Sequence, residues 1–156
     1  MIRQLKSQAD RQMVSDIWLA SAPKTLAYLP RHQWQQELCW LNEQLLAQSE
    51  AWLYDDGRVR GFVLLSRDGL NHLCVDPDAE RRGIGRALLS FAQSRRHPLR
   101  LSAPCQHKDA IAFFRHQGFK PVSEQLDGRT GQWQLLMIHS TSRAISNTKS
   151  LMCKCE

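Results

Sequence analysis

Apolar and polar positions follow a helical spacing in the first part of the chain. After a short apolar stretch at Ile2–Leu5, which predicts a first strand, apolar side chains recur every three or four residues and predict a first helix. Ser7 and Asp10 have the spacing of a capping box at the start of this helix. The helix is expected to run to about Ala20 and to be ended by Pro23, because proline interrupts helical hydrogen bonding.

The spacing changes in the middle of the chain. A second helical pattern, over about residues 31–48, gives way to three apolar runs separated by Asp-Gly pairs. Because Asp-Gly between apolar runs is a strong hairpin signal, these runs predict an antiparallel meander of three strands. The predicted strands cover residues 51–54, 59–66 and 70–75, with turns at Asp56-Gly57 and Asp68-Gly69.

The last part of the chain mixes both patterns. Helical spacing from Ile84 predicts a third helix, and the pattern that ends at Gly118 predicts a fourth helix with a glycine cap. Short strands are predicted at residues 99–102, 120–126 and 132–139, with a turn at Asp127-Gly128 between the last two.

Length and composition fit one domain. With 156 residues, 42% of them hydrophobic, the chain can bury a single sizeable core, and we expect one domain over residues 1–140. Residues 141–156 are polar and lack a convincing period, so we expect a disordered tail. The formal net charge of +6 favours anionic ligands, without choosing among phosphates, nucleic acid and acidic surfaces.

Several classes of function find no support in the sequence. No apolar run approaches the roughly 18 to 20 residues that span a bilayer, and the N-terminus lacks a signal-peptide core, so we expect a cytoplasmic protein without a membrane partner. No long basic and aromatic stripe marks a nucleic-acid groove. The cysteines lack the paired spacing of a zinc site, and no metal is expected.

A glycine-rich turn between the last strand of the meander and the third helix has the chemistry of an anion site. Gly83 and Gly85 carry no side chains, so a diphosphate can approach the backbone amides at the helix start, where the helix dipole favours anions. Arg81, Arg82 and Arg86 add positive charge around the same point. The turn, Arg81–Arg86, is called the glycine corner below; it is neither a Walker motif nor a dinucleotide fingerprint.

Two stretches resemble the GNAT superfamily of acetyl-CoA-dependent N-acetyltransferases. VDPDAERRGIGRALL is similar to that family's pyrophosphate motif, [QR]xxGx[GA], and LRLSAPCQHKDAIAFFRHQGFK is similar to its NxxAxxFYxxxGF motif. The resemblance implies an α/β (α+β) GNAT fold, with a central, mostly antiparallel mixed sheet of about seven strands and about four helices. The sheet of this family is splayed between its fourth and fifth strands.

The resemblance also implies where acetyl-CoA binds as co-substrate. The pantetheine arm would pair with the backbone of the fourth strand, the pyrophosphate would lie on the amides of the glycine corner, His107 would hydrogen-bond a pantetheine amide, and Phe114 would pack against the arm. The coenzyme-binding residues so implied are Leu73, Cys74, Val75, Arg81, Arg82, Gly83, Ile84, Gly85, Arg86, His107 and Phe114.

Three positions depart from the family pattern. Glu80 stands where Gln or Arg is usual, and its carboxylate is unhelpful beside a diphosphate unless it points to solvent or pairs with a neighbouring arginine. His107 replaces the usual Asn, and Phe114 replaces the Tyr that would protonate the departing thiolate. Because a thiol has a pKa of only about 8 to 9, direct attack by a neutral amine can proceed without that acid.

Two residues are the leading candidates for proton transfer, ahead of Cys105 and His107 as acids and of Asp68 and Glu124 as bases. His72 lies in the fourth strand, and an unperturbed imidazole pKa near 6.5 suits a base or the start of a water relay. Tyr28 is a candidate proton donor. In this family the acceptor enters over the first two helices and the last hairpin, which correspond here to residues 21–37 and 127–133.

The sequence therefore predicts an N-acetyltransferase that moves an acetyl group from acetyl-CoA to a primary amine by direct attack. A protein lysine, a protein N-terminus and a small-molecule amine all remain open as acceptors. Phe114 leaves open a non-catalytic acyl-CoA sensor, and the net charge leaves open a tRNA-directed acetyltransferase, although nucleic acid is not the expected partner. We expect a monomer or a homodimer.

Overall fold

Four strands of the first part of the chain form an antiparallel sheet in chain order. The computed structural model describes residues 1–67 and 69–140 and divides into two compact units, Met1–Ala92 and a second one from Gln93 onward. The predicted turn at Asp68 and the predicted tail lie outside the described residues, and one domain over residues 1–140 stays a prediction. The four strands of the first unit are β1 Ile2–Gln4, β2 Glu50–Asp55, β3 Val59–Leu65 and β4 Leu70–Val75.

Helices cover both faces of this sheet. Helix α1, Gln8–Thr25, packs on the face that carries Phe62, Leu64 and Cys74, because Ile17 and Trp18 belong to the same buried cluster. Side chains alternate between the faces of a strand, so Gly61 lies on the opposite face. A Cβ at Gly61 would lie 3.2 Å from Leu88 Cδ1 and 3.3 Å from Ile84 Cγ2, which places α4, Ile84–Arg95, against that face.

A continuous helical stretch follows α1. It consists of α2, Arg31–Trp40, a π-helical segment, Leu41–Leu45, and a last turn α3, Leu46–Gln48. The predicted bounds of the second helix are therefore confirmed, whereas the π-helical segment has no signature in the apolar spacing.

The start of α1 is fixed by polar side chains. Ser7 Oγ accepts a hydrogen bond from Asp10 N at 3.1 Å, which confirms the predicted cap. The Asp10 carboxylate is buried and accepts two hydrogen bonds of 2.9 Å from the Arg3 guanidinium. These bonds hold the pKa of Asp10 well below its usual range. Strand β1 and helix α1 are thus joined by a charged, hydrogen-bonded pair.

The predicted end of α1 was wrong. Pro23 lies inside the helix, which continues to Thr25. Pro23 has no N–H to donate to Leu19 O, so one helical hydrogen bond is lost, but the helix continues for two more residues. The additional turn places Lys24 in the last turn of α1.

The second unit has a three-stranded antiparallel sheet in the order β5, β7, β6. Its elements are β5 Leu99–Pro104, α5 Lys108–His116, β6 Lys120–Leu126 and β7 Trp133–His139. Gly118 has φ 96°, and its amide donates to Arg115 O, which confirms the predicted glycine cap. In the β6–β7 loop the positive φ falls on Gly131 and not on Gly128, because Asp127 O accepts from Gly131 N and closes a longer turn than predicted.

Candidate functional site

The chain turns sharply after β4. The Asp76 carboxylate accepts a hydrogen bond from Asp78 N at 3.0 Å and starts a 3-10 turn, Pro77–Ala79. The Asp76 amide donates to Arg60 O at 2.8 Å, which fixes the turn to the neighbouring strand β3. The glycine corner follows this turn and leads directly into α4.

The backbone of the glycine corner has an unusual conformation. Arg81 has φ 66° and Gly83 has φ 81°, both in the left-handed region that side chains other than glycine rarely adopt. Such strained residues cluster at binding and catalytic sites. Ala87 N donates to Gly83 O at 3.0 Å, so α4 begins here and its first amides have no acceptor within the helix. These amides are the donors that an anion can occupy.

The corner also has the space and the charge that a diphosphate needs. A Cβ at Gly83 would find no atom within 4 Å, so the backbone is open on that side. The side chains of Arg81, Arg82 and Arg86 are exposed. Arg82 makes a long contact, 3.5 Å, with the carbonyl of Asp78. The residues present therefore fit the diphosphate of coenzyme A, with amides to accept it and guanidinium groups to balance its charge.

Glu80 is exposed, and its carboxylate pairs with a lysine instead of a neighbouring arginine. It pairs with Lys24 in the last turn of α1, whose Nζ lies 3.1 Å from Glu80 Oε2 and 3.4 Å from Oε1. The pair joins residues 56 positions apart, and no local pattern of the sequence points to it. The position of Lys24 beside the glycine corner was therefore not predicted from the sequence.

The side chain of Cys74 faces the protein interior. Its Sγ lies 3.1 Å from Ser21 Oγ of α1, and burial raises the pKa of the thiol to about 11. The thiol is therefore protonated near neutral pH, and only the backbone of Cys74 remains for the predicted contact with pantetheine. Leu73 and Val75 are half-buried and lie on the opposite face of β4.

His72 lies on the same face as Cys74. Its ring stacks on Phe62, with centroids 5.8 Å apart and planes inclined by 9°. Burial lowers the pKa of His72 to about 4, below the unperturbed value on which its predicted role as a base was founded. The ring is neutral at pH 7 and a much weaker base than free imidazole; its catalytic role stays a prediction.

Tyr28 lies in the short loop between α1 and α2, and it is half-buried. The loop is held by Trp34, whose indole N–H donates to Leu26 O at 3.1 Å. The guanidinium of Arg31 lies 5.5 Å from the centroid of the Trp34 ring, in the range of a cation–π contact. Trp34 thus stabilises the loop that carries Tyr28.

The two remaining coenzyme candidates belong to the second unit, in the stretch His107–Phe119, called the α5 motif below. His107 Nδ1 accepts a hydrogen bond from Ala110 N at 3.3 Å and caps α5. Phe114 is buried and makes edge contacts with Phe113 and Phe119, at centroid distances of 5.4 Å and 5.7 Å. Both side chains are thus used in the packing of their own unit.

The candidate residues therefore fall into three groups. The glycine corner and the β4 residues lie together in the first unit, Tyr28 lies in the α1–α2 loop of the same unit, and His107 and Phe114 lie in the second unit. Within the described parts of the chain, no group of three or more His, Cys, Asp or Glu side chains is arranged to hold a metal ion. None of the described helices combines the length and apolarity needed to cross a membrane.

Comparisons with known proteins support the sequence resemblance. The family described as acetyltransferase (GNAT) domain matches residues 47–121. The peptidyl-lysine N-acetyltransferase YiaC of Escherichia coli strain K12 is 30% identical over 124 residues, which cover 78% of this chain and 84% of that protein.

Solved structures share the fold. The solution structure of apo-form YjaB from Escherichia coli matches with a TM-score of 0.78 at 23% identity, covering 89% of this chain and 96% of that one. The crystal structure of PaiA N-acetyltransferase from Thermoplasma acidophilum in complex with coenzyme A matches with a TM-score of 0.73 at 19% identity, covering 90% and 98%.

Proposed function

Because the chain belongs to the GNAT acetyltransferase family and is an acetyl-CoA-dependent acyltransferase, we propose that it acetylates the side-chain amine of lysine in proteins. The predicted α+β GNAT fold is confirmed by the solved structures that share it. Lysine is proposed as the acceptor because the chain is 30% identical, over 78% of its length, to a peptidyl-lysine N-acetyltransferase.

The donor side of the proposal rests on the glycine corner. The amides at the start of α4 bind the diphosphate of acetyl-CoA, and the exposed arginines Arg81, Arg82 and Arg86 balance its charge. The backbone of Leu73, Cys74 and Val75 aligns the pantetheine arm. Acetyl-CoA supplies an activated acyl group, and the chain supplies position and charge.

The proposed reaction does not require a protein side chain that acts as a general acid. Transfer forms a bond between the lysine nitrogen and the acetyl carbonyl carbon and breaks the bond between that carbon and the coenzyme sulfur. The lysine ammonium loses two protons in all, of which one ends on the coenzyme thiol and one is released to solvent. Phe114 has no proton to donate. A thiolate whose conjugate thiol has a pKa of about 8 to 9 leaves readily, so proximity and backbone donors carry most of the rate.

Deprotonation of the amine is the harder step. A lysine ammonium has a pKa of about 10.4, whereas the pKa of His72 is lowered to about 4, so direct transfer between them is strongly uphill. We infer that the amine loses its proton to solvent before attack. The rate then rises with pH well above the pKa of free imidazole. Tyr28 remains the candidate donor to the leaving thiolate.

Matched acceptors test the proposed specificity. Three substrates are compared by thiol release with acetyl-CoA: a peptide with a blocked N-terminus and one lysine, the same peptide with a free N-terminus and Arg in place of Lys, and spermidine. We expect acetylation at lysine Nε in the first peptide, identified by mass spectrometry, and at least tenfold lower kcat/KM for the other two.

Three results would contradict the proposal. Preferred transfer to the free N-terminus or to spermidine would replace lysine as the acceptor. Saturable coenzyme binding without transfer to any acceptor would favour the sensor. Salt-sensitive RNA binding with transfer to charged tRNA would favour the tRNA-directed alternative. A cytoplasmic location, the absence of a metal, a membrane or a nucleic acid as partner, and a monomeric or homodimeric state stay predictions.

A further inference from the structure

The ion pair between Lys24 and Glu80 lies directly beside the proposed diphosphate site. Lys24 Nζ contacts both carboxylate oxygens of Glu80, at 3.1 Å and 3.4 Å, and the next residue after Glu80 is the first of the glycine corner. We propose that Lys24 is a positioning residue of the donor site, which neutralises Glu80 and holds its carboxylate away from the diphosphate. This inference rests on the proposed function of the corner.

The need for such a residue follows from electrostatics. Glu80 directly precedes Arg81, whose left-handed backbone turns the chain into the corner, so the carboxylate belongs to the residue next to the proposed anion site. Like charges on neighbouring groups repel each other even in water, and a diphosphate carries about two negative charges. An uncompensated Glu80 is therefore expected to weaken binding of coenzyme A on the order of fivefold at low salt.

Lys24 is suited to this task by its place in the fold. It lies in the last turn of α1, where the helix dipole favours a cation, and it reaches Glu80 across 56 positions of sequence. Among the described residues, the salt bridge of Glu80 goes to Lys24, while Arg82 turns towards the carbonyl of Asp78. Because a lysine from another element neutralises the carboxylate, the arginines of the corner remain available to the phosphates.

Exposure of the pair argues against a role in stability. The side chains of Lys24 and Glu80 are 60% and 39% exposed, and ion pairs of this kind contribute little to folding. An effect of Lys24 on coenzyme affinity, with no effect on the melting temperature, therefore separates a role in the donor site from a structural role.

A double-mutant cycle tests the proposal directly. The dissociation constant of coenzyme A is measured by calorimetry at low salt for wild type, Lys24→Met, Glu80→Gln and the double variant. We expect about fivefold weaker binding for Lys24→Met and equal or tighter binding for Glu80→Gln. In the Glu80→Gln background, Lys24→Met is expected to change affinity by less than twofold, because no carboxylate remains to be neutralised.

Two controls sharpen the cycle. Lys6→Met removes the same charge at the other end of α1, a helix of 18 residues and therefore about 27 Å long, and is expected to leave affinity unchanged. S-acetylpantetheine lacks the diphosphate, so its kcat/KM is expected to be the same in wild type and Lys24→Met. The loss caused by Lys24→Met is also expected to shrink in 0.5 M salt.

The outcomes separate the possible roles of Lys24. An equal loss in both backgrounds would mean that Lys24 contacts the diphosphate itself and would overturn the proposal. Unchanged affinity in both backgrounds would overturn it too, because the pair would then be a surface contact without a role in binding. If folded wild-type protein does not bind coenzyme A at all, the proposed function fails together with this inference, a result that the cycle distinguishes from the other two.

Discussion

The glycine corner of the first unit and the α5 motif of the second unit use different parts of the chain. In the proposed donor site the corner would act through its backbone, which has left-handed residues at Arg81 and Gly83 and open space beside Gly83. The α5 motif would have to act through side chains, and those of His107 and Phe114 are used for capping and for ring packing. The proposed donor site therefore depends on the backbone of the corner, whereas the side chains of His107 and Phe114 contribute to the packing of the second unit.

Strand β4 resembles the glycine corner in that its proposed ligand contacts are made by the backbone. His72 and Cys74 turn their side chains to the core, where one stacks on Phe62 and the other contacts Ser21. The proposed contact of His72 and Cys74 with a ligand is therefore limited to their backbone. A site of this kind tolerates side-chain variation, because the binding groups are amides and carbonyls that every residue carries.

The largest effect is expected from Phe114→Ala. Removing a buried ring that contacts Phe113 and Phe119 is expected to cost about 3 to 5 kcal/mol of the free energy of unfolding, measured by urea denaturation. Phe113→Ala is the matched control and is expected to cost less, since Phe113 is only half-buried. A stable Phe114→Ala protein that had lost only catalysis would show that the α5 motif acts by its side chains after all.

Acidification tests the core position of His72. Its pKa is lowered to about 4 in the folded protein, so the folded state binds fewer protons than the unfolded state, whose imidazole has a pKa of about 6.5. The contribution of His72 to the free energy of unfolding is therefore fully present above pH 6.5. It is expected to fall, by up to about 3 kcal/mol, as the pH drops towards 4.

The variant His72→Phe keeps a ring next to Phe62 and is expected to flatten this decline of stability between pH 6.5 and pH 4. The exposed His116, replaced in the same way, serves as the control and is expected to leave the decline in place. His139, whose pKa is also lowered by burial, accounts for part of the remaining slope. An unchanged slope in His72→Phe would mean that His72 is solvated and free to act as a base.

Gly83→Ala is expected to have the next largest effect, on binding. A methyl group there occupies the open side of the corner and strains a backbone with φ 81°, so affinity for coenzyme A is expected to fall at least tenfold, on the order of 1.4 kcal/mol. Gly57→Ala has the same kind of backbone, φ 108° with open space, and lies in the β2–β3 turn. It is expected to cost similar stability and no affinity; equal losses of affinity in both variants would remove the corner as the binding site.

The smallest effect is expected from Phe114→Tyr. This change restores the hydroxyl that is usual in the family, at a position whose ring is buried between Phe113 and Phe119. If the thiolate leaves without a general acid, kcat is expected to change by less than threefold. An increase of tenfold or more, measured with the lysine peptide, would show that protonation of the leaving group limits the rate.

Local features could be predicted from the sequence because a few neighbouring residues determine them. The cap at Ser7, the turn at Asp56-Gly57, the glycine cap at Gly118 and the glycine corner each depend on a short stretch of chain. The family motifs added the order of the strands, since they place the corner after a strand in a known topology.

Features that depend on distant residues could not be predicted. The pairing of Lys24 with Glu80 requires an α1 that continues past Pro23, and the lowered pKa of His72 requires burial of its ring in the folded protein. Neither is encoded in a local pattern, because each arises only when α1 and the strands pack together. These contacts change the environment of the predicted base His72 and of Glu80, which departs from the family motif.

The most direct test of donor binding by backbone amides is a ¹⁵N-resolved NMR titration of the wild-type protein with coenzyme A and, in parallel, with pantetheine. We predict that the amides of Arg81–Arg86 shift on addition of coenzyme A and do not shift with pantetheine, which has no diphosphate. Saturable binding of coenzyme A that leaves these amides unshifted would contradict the proposal that the glycine corner holds the donor.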